Sequence, residues 1–312
     1  MLMPLEELGR HGHQVELATC HSDWVPDHPR DYDVIVGQRF DHHAGMSRWR
    51  RLAADARLVY EVDDDVFSVL PVNWMAYSTL ARDEVRDAIS FSMQVSDLVT
   101  VTTEHLAGVM REHNPNVAAI NNHIPSGVLD LPAPAGERPA IGWMGGASHG
   151  LDIQLIASPL RRFLNRFPGW DAIMIGTDYR GTVNHPRCGY IPWIYVVQDP
   201  EGYYRSLDFD IGLAPVERNF FNLSKSHVKA LEYAARGIPV IASDVEPYRD
   251  FVLHGVTGFL VRYEHEWLRY MSMLANDEAM RREMGAKAKE VAREWVIEDG
   301  YTKWEAAYSS LL

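Results

Sequence analysis

The chain has 312 residues, 46% of them hydrophobic, a length that suits about two packed domains better than one continuous core. Its 30 Lys+Arg stand against 43 Asp+Glu, and a net charge of −13 repels polyphosphate backbones and anionic lipid, which disfavours nucleic acid and bare membrane as partners. Cys20 and Cys188 are the only cysteines, far apart and outside any C-x-x-C, which argues against a disulfide framework, a zinc knuckle and a thioredoxin-type motif, and reduced cytoplasmic thiols fit best. No run approaches the roughly 18–20 apolar residues of a membrane span, and Glu6, Glu7, Arg10 and His11 interrupt the place where an export signal would need an apolar core. A cytoplasmic protein without a transmembrane anchor is expected.

Pro4–Arg10 reads as a helix. Short apolar or β-branched runs follow at Val15–Thr19, Val34–Val36, Leu58–Val62, Leu98–Thr102 and Val117–Ile120, alternating with helical patterns, a rhythm that predicts a parallel α/β sheet with right-handed crossovers. Arg48, Arg50, Arg51 and Arg57 form a dense cationic patch whose simplest reading is a solvated helix face. Three prolines and a glycine within Leu131–Pro139 cannot continue a helix or an inner strand, so one domain is expected over residues 1–130 and a second over 139–296. The second series of strands is Ala140–Trp143, Ala172–Ile175, Ile211–Ala214, Val240–Ala242 and Gly258–Val261. Two Rossmann-like domains facing a cleft follow. In residues 297–312, Ile297, Tyr301, Trp304, Tyr308 and Leu311 recur at helical spacing and need a surface, either the nearest core or the first domain.

The most informative stretch runs from Phe220 to Asp244 and reads loop, helix, turn, strand, with Gly237 as the residue after the helix and Pro239 blocking its continuation. Lys225, Lys229 and Glu232 lie at offsets of 4 and 3 and are expected on one helix face, with Val228, Leu231 and Ala235 on the next. An ammonium at a helix start, where free N–H groups already favour anions, suits a diphosphate, and Glu232 two turns on is an acceptor for vicinal ribose hydroxyls. An ordinary solvated Lys/Glu face with i,i+3 and i,i+4 pairing has the same residue types.

The segment KSHVKALEYAARGIPVIASD resembles the donor-binding segment of retaining nucleotide-sugar glycosyltransferases of family 4, which have the GT-B fold. IGWMGGASHGLDI (Ile141–Ile153), YYRSLDFDIGLAPVERNFFN (Tyr203–Asn222) and GVTGFLV (Gly255–Val261) resemble, in order and spacing, that family's opening strand and glycine turn, the approach to its donor helix, and its late glycine turn and strand. The resemblance implies an enzyme that moves a sugar from a UDP-, GDP- or ADP-linked donor to an acceptor hydroxyl with retention, without metal or further cofactor, and a final helix that crosses back to the first domain. It implies ribose binding by Glu232, phosphate binding by Lys225, and a helper or N-cap role for Ser226. Lys229 and Asn222 belong to the same segment. The family's other signature glutamate falls at Ser224, a departure that leaves the donor sugar open. Gly145 and Gly146 allow backbone N–H groups to approach a phosphate, with His149 and Asp152 following as a helix begins. Gly189–Trp193 resembles a loop that packs against the nucleobase, with Tyr190 and Ile191 as candidate contacts.

In the first domain the strand Leu58–Val62 ends in Asp63-Asp64-Asp65, and α/β ligands bind at strand carboxyl ends. Asp63 and Asp64 stand where many family members carry a catalytic-site histidine and aspartate, and are candidates to orient the acceptor or stabilise positive charge at the anomeric carbon. A metal-binding Asp-x-Asp of the GT-A fold and solvated strand-end acids are the rival readings. The family's first strand is missing before Gly12-His13-Gln14-Val15, either because the native start lies upstream or because the sheet is short. A module that binds nucleotide-sugar without turnover is the alternative function. A nicotinamide-dependent dehydrogenase shares the fold class but lacks a G-x-G-x-x-G fingerprint. Charge leaves a protein, glycan or small-molecule acceptor open and makes DNA unfavourable.

Overall fold

The computed structural model describes residues 2–18, 29–38, 43–196 and 198–312. The chain forms two compact units. The first comprises Met1–His123, Leu223–Ser226 and Ile297–Leu312, and the second Ile124–Asn222 and His227–Val296. The division therefore follows His123 and not the proline-rich stretch near 130, and the tetrapeptide Leu223–Ser226 goes with the first unit.

The first unit has the parallel strands β1 (Val34–Gln38), β2 (Arg57–Glu61), β3 (Leu98–Val101) and β4 (Val117–Ala119), hydrogen-bonded in that order. Side chains alternate across the pleat, so Leu58, Tyr60 and Val99 join Trp49, Met93 and Leu106 in one core, while Val59 and Leu98 enter another on the opposite face. That second face is covered by Leu8 of the helix Leu2–Arg10 and by Ile297, Trp304 and Tyr308. The terminal stripe thus returns to the first sheet, in two short helices at Ile297–Gly300 and Thr302–Ser309. The expected strand Val15–Thr19 does not form over residues 15–18, which follow a turn at Gly12 (φ 99°), and Thr19 lies outside the described residues. Its two large apolar side chains, Val15 and Leu17, are both exposed and bury too little to fix a strand. Among the described residues the first sheet begins at Val34.

The second unit holds β5 (Ala140–Gly145), β6 (Asp171–Gly176), β7 (Cys188–Pro192), β8 (Ile211–Ala214), β9 (Val240–Ser243) and β10 (Gly258–Val261), all parallel, in the order β10-β9-β8-β5-β6-β7. Chain progression reverses between β5 and β8, which makes their carboxyl ends the topological switch point where open α/β sheets hold ligands. One core of Trp143, Ile156, Leu160, Phe163, Leu213 and Met271 joins the sheet to its helices. The stretch Gly189–Trp193, expected as a loop, is mostly strand β7. Gly189 and Pro192 obscured it, yet an edge strand tolerates both, because one side of its ladder has no neighbour to bond.

Candidate functional site

Strand β5 is buried along its whole length and delivers Gly145 and Gly146 to the switch point. A Cβ on Gly145 would lie 2.5 Å from the Trp143 ring and 2.9 Å from His149 Cδ2, so no larger residue fits there without moving both. Gly146 leads into a short 3-10 turn, Ala147–His149, and then into the helix Gly150–Arg166. His149 Nδ1 lies 2.6 Å from Asp152 Oδ2. The other oxygen of this buried carboxylate accepts the Glu217 N–H (2.7 Å) and Asn222 Nδ2–H (3.3 Å), and Asn222 Nδ2 also donates to the Glu217 carbonyl (2.9 Å). His149 and Asn222 are therefore brought together through Asp152, with the imidazole held in one orientation beside the glycine turn.

The helix on which the donor reading depends spans Val228–Ala235. His227 occupies its N-cap without a side-chain capping bond, so Ser226 is not the cap, and Lys225 precedes the helix instead of sharing its face. Lys229 and Glu232 do share one face, and both are buried. The Lys229 ammonium sits 4.9 Å over the centre of the Trp143 ring, a cation–π contact that ties the helix to β5. Glu232 Oε1 accepts the Tyr203 hydroxyl at 3.0 Å. Burial pushes the Glu232 carboxyl up to about 7, against the opposing pull of the Tyr203 hydrogen bond and the Lys229 charge. Burial and the same carboxylate raise the Tyr203 phenol, which stays a hydrogen-bond donor.

On the other side of β5, Gly176 has φ 98°, and the Trp193 ring occupies the place a Cβ would take. Tyr190 donates its hydroxyl to the Gly176 carbonyl at 3.1 Å and carries the Arg180 guanidinium 5.4 Å from its ring centre. Ile191 follows it on β7, half-buried. Trp193 is 40% exposed and meets Tyr203 edge-on at 6.3 Å. An exposed indole, a buried tyrosine and a buried glutamate thus form one connected line. The sequence reading missed Trp143 and Tyr203 as site residues. The aromatic two places before Gly145 and the Tyr203-Tyr204 pair were the available signals, but aromatics in core strands and helices look the same.

The remaining predicted residues belong to the first unit. Lys225 Nζ lies 3.6 Å from Asp64 Oδ1. Ser226 Oγ accepts from Asn122 Nδ2 at 2.7 Å, and the carbonyl of fully buried Ser224 accepts from Thr103 Oγ1 at 3.2 Å. Thr103 also caps the helix Glu104–Met110, accepting the Leu106 N–H, so one hydroxyl fixes both the loop and the helix. Of the acidic run, the Asp63 carbonyl accepts from Thr102, and the buried Asp65 carboxylate accepts the Phe67 N–H as a turn cap. Asp63 and Asp64 are half-buried. The basic patch is dispersed: Arg57 bonds Asp97 at 3.0 Å and Arg50 lies over Phe91. Among the described residues, no group of three or more His, Cys, Asp or Glu is placed to hold a metal ion, and no helix is long and apolar enough to cross a membrane.

Residues 228–291, which begin with the Lys229/Glu232 helix, match the family model of the glycosyl transferases group 1. Over that segment, about a fifth of the chain, the sequence is similar to the group 1 glycosyl transferases. Each unit is a parallel α/β sheet with its helices, the fold found in GT-B glycosyltransferase structures. The structure of Anabaena HepE in complex with UDP and glucose is 14% identical with a TM-score of 0.67, over 90% of this chain and 79% of that one. Pneumococcal O-GlcNAc transferase GtfA, in complex with UDP and GlcNAc, is 14% identical with a TM-score of 0.64, over 89% of this chain and 56% of its own. Sucrose-phosphate synthase from Thermosynechococcus elongatus is 18% identical with a TM-score of 0.64, over 90% and 74%. The chain thus spans little more than half the length of GtfA. No curated protein sequence matches it.

Proposed function

We propose that the chain is a retaining, metal-independent glycosyltransferase that moves a sugar from a nucleoside-diphosphate donor to an acceptor hydroxyl in the cytoplasm. The observation that carries this reading is the buried Lys229/Glu232 pair on one helix face at the switch point, inside the segment that matches the group 1 family. HepE and GtfA, which share the fold, are recorded in complex with UDP, which supports a nucleotide as the donor's handle.

In this reading the donor diphosphate meets the backbone N–H groups after Gly145 and Gly146 and the ammonium group of Lys229, whose positive charge offsets the charge that builds on the leaving diphosphate. His149, oriented by Asp152, donates to the donor. Glu232 accepts from the ribose hydroxyls, and the exposed face of Trp193 together with β7 receives the base. Asp63 and Asp64, in the first unit, are the groups proposed to orient the acceptor. The acceptor hydroxyl oxygen bonds to the anomeric carbon on the face the diphosphate leaves, as the bond to the diphosphate breaks, and the hydroxyl proton passes to the departing diphosphate oxygen, which keeps the configuration. Positioning and fixed charge supply most of the acceleration.

The fully buried Ser224, standing where a glutamate is expected, favours a second reading: a module that binds the donor and transfers nothing. Incubation with a panel of UDP-, GDP- and ADP-sugars separates them. Release of free nucleotide from any donor is the outcome for an enzyme, whereas binding without release over a long incubation establishes the module. Unchanged nucleotide-sugar binding in folded Glu232→Ala and Lys229→Ala proteins would rule out both.

A further inference from the structure

On the β8–β9–β10 side of the switch point the second unit carries a groove of about 810 Å³, well within the size of organic-ligand sites. Its floor is the carboxyl ends of those strands at Val216, Ser243 and Val261, and Leu151 and Leu155 form one apolar wall. The opposite rim is a chain of ion pairs. Arg218 bonds Glu246 at 3.1 Å, Arg249 bridges Glu246 and Asp244 at 3.4 and 2.5 Å, and Arg262 closes on the other oxygen of Asp244. Asp244 is buried, and the Arg249 hydrogen bond holds its carboxyl below the usual range, so the array is fixed in the charged form.

Three guanidinium groups face Asp244 and Glu246 in the network and Glu217 and Glu264 beside it, so the groove offers no excess positive charge to a polyanion. What it offers is direction. Each guanidinium has five N–H donors, more than its bonds to these carboxylates use, and each carboxylate has lone pairs beyond them. At the end of the array the Tyr263 ring is 64% exposed, on a residue whose backbone N–H is tied to Glu266 at 3.0 Å. A ligand that both donates and accepts at several points, carries no net charge and has flat C–H faces for an aromatic ring is a polyol ring system.

We propose that this groove is a carbohydrate subsite that holds a neutral glycan chain, the acceptor or its extension. Naming the glycan an acceptor rests on the glycosyl-transfer reading; binding in the groove does not. The test is a glycan array carrying neutral, sialylated and sulfated chains, probed with the whole protein and with Tyr263→Ala and Arg218→Ala, two exposed positions whose loss leaves Asp244 paired. Retention of neutral chains, reduced at least about tenfold in each variant while nucleoside-diphosphate binding stays unchanged, is the expected result. The proposal is overturned if no chain is retained, if only sulfated or sialylated chains are retained and high salt releases them, or if both variants bind as the parent does. Glycan binding in a protein that binds no nucleoside diphosphate would preserve the subsite and defeat the transferase reading instead.

Discussion

Glu232 is proposed to accept the ribose hydroxyls, which an ionised carboxylate does more strongly than a protonated one, and burial brings its folded-state value to about 7. Donor affinity is therefore expected to rise roughly tenfold from pH 6 to pH 8, as the ionised fraction grows. Glu232→Gln should flatten that profile, which calorimetry across the range will show. The stability linkage has the opposite sign. A carboxyl whose value is raised on folding contributes most below its unfolded value of about 4.5, and that contribution is lost as pH rises through 7. Thermal melts should accordingly show Glu232→Gln gaining on the parent at pH 8 relative to pH 5. Gly145 gives a steric prediction. Because the Trp143 ring and His149 fill the Cβ position, Gly145→Ala should cost about 1–3 kcal/mol in denaturant unfolding and, under the proposed phosphate contact of this backbone turn, weaken donor binding.

Among the elements, the terminal helices test how the first sheet is completed. Trp304 and Tyr308 pack with Val59, Leu98 and Ile120, so Trp304→Ala should destabilise the first unit by about 3–5 kcal/mol. Hydrogen exchange should then quicken in β2 and β3 while β5 and β8 keep their protection; faster exchange confined to the second unit would show that the helices support that unit instead. This packing was half legible. The spacing of Ile297, Trp304 and Tyr308 defines a stripe, but a stripe does not name its surface, and the resemblance supplied the direction. Ile211–Ala214 and Gly258–Val261 were readable to the residue because buried parallel strands are continuous apolar runs. Strand β7 was not, since Gly189 and Pro192 carry loop chemistry that an edge position accommodates. Among site residues, Lys229 and Glu232 followed from helical spacing. The path through Tyr203 to Trp193 did not, because sequence spacing cannot show which buried aromatic meets which carboxylate.

At the scale of the molecule, a chain of net charge −13 repels a nucleoside diphosphate wherever local groups do not reverse the field. Under the proposed function that reversal falls at the switch point of the second sheet, with lysine and backbone N–H groups for the phosphates and Glu232 for the ribose. The most direct measurement is a calorimetric titration of UDP, GDP and ADP, and of the 2′,3′-dideoxy form of whichever binds, into the protein and into Glu232→Gln. The account predicts saturable binding of at least one diphosphate by the parent, a marked loss for its dideoxy form, and a variant that binds weakly and no longer distinguishes the two. Equal affinity of parent and variant for the diphosphate, with the dideoxy form bound as well as the natural one by both, would contradict it.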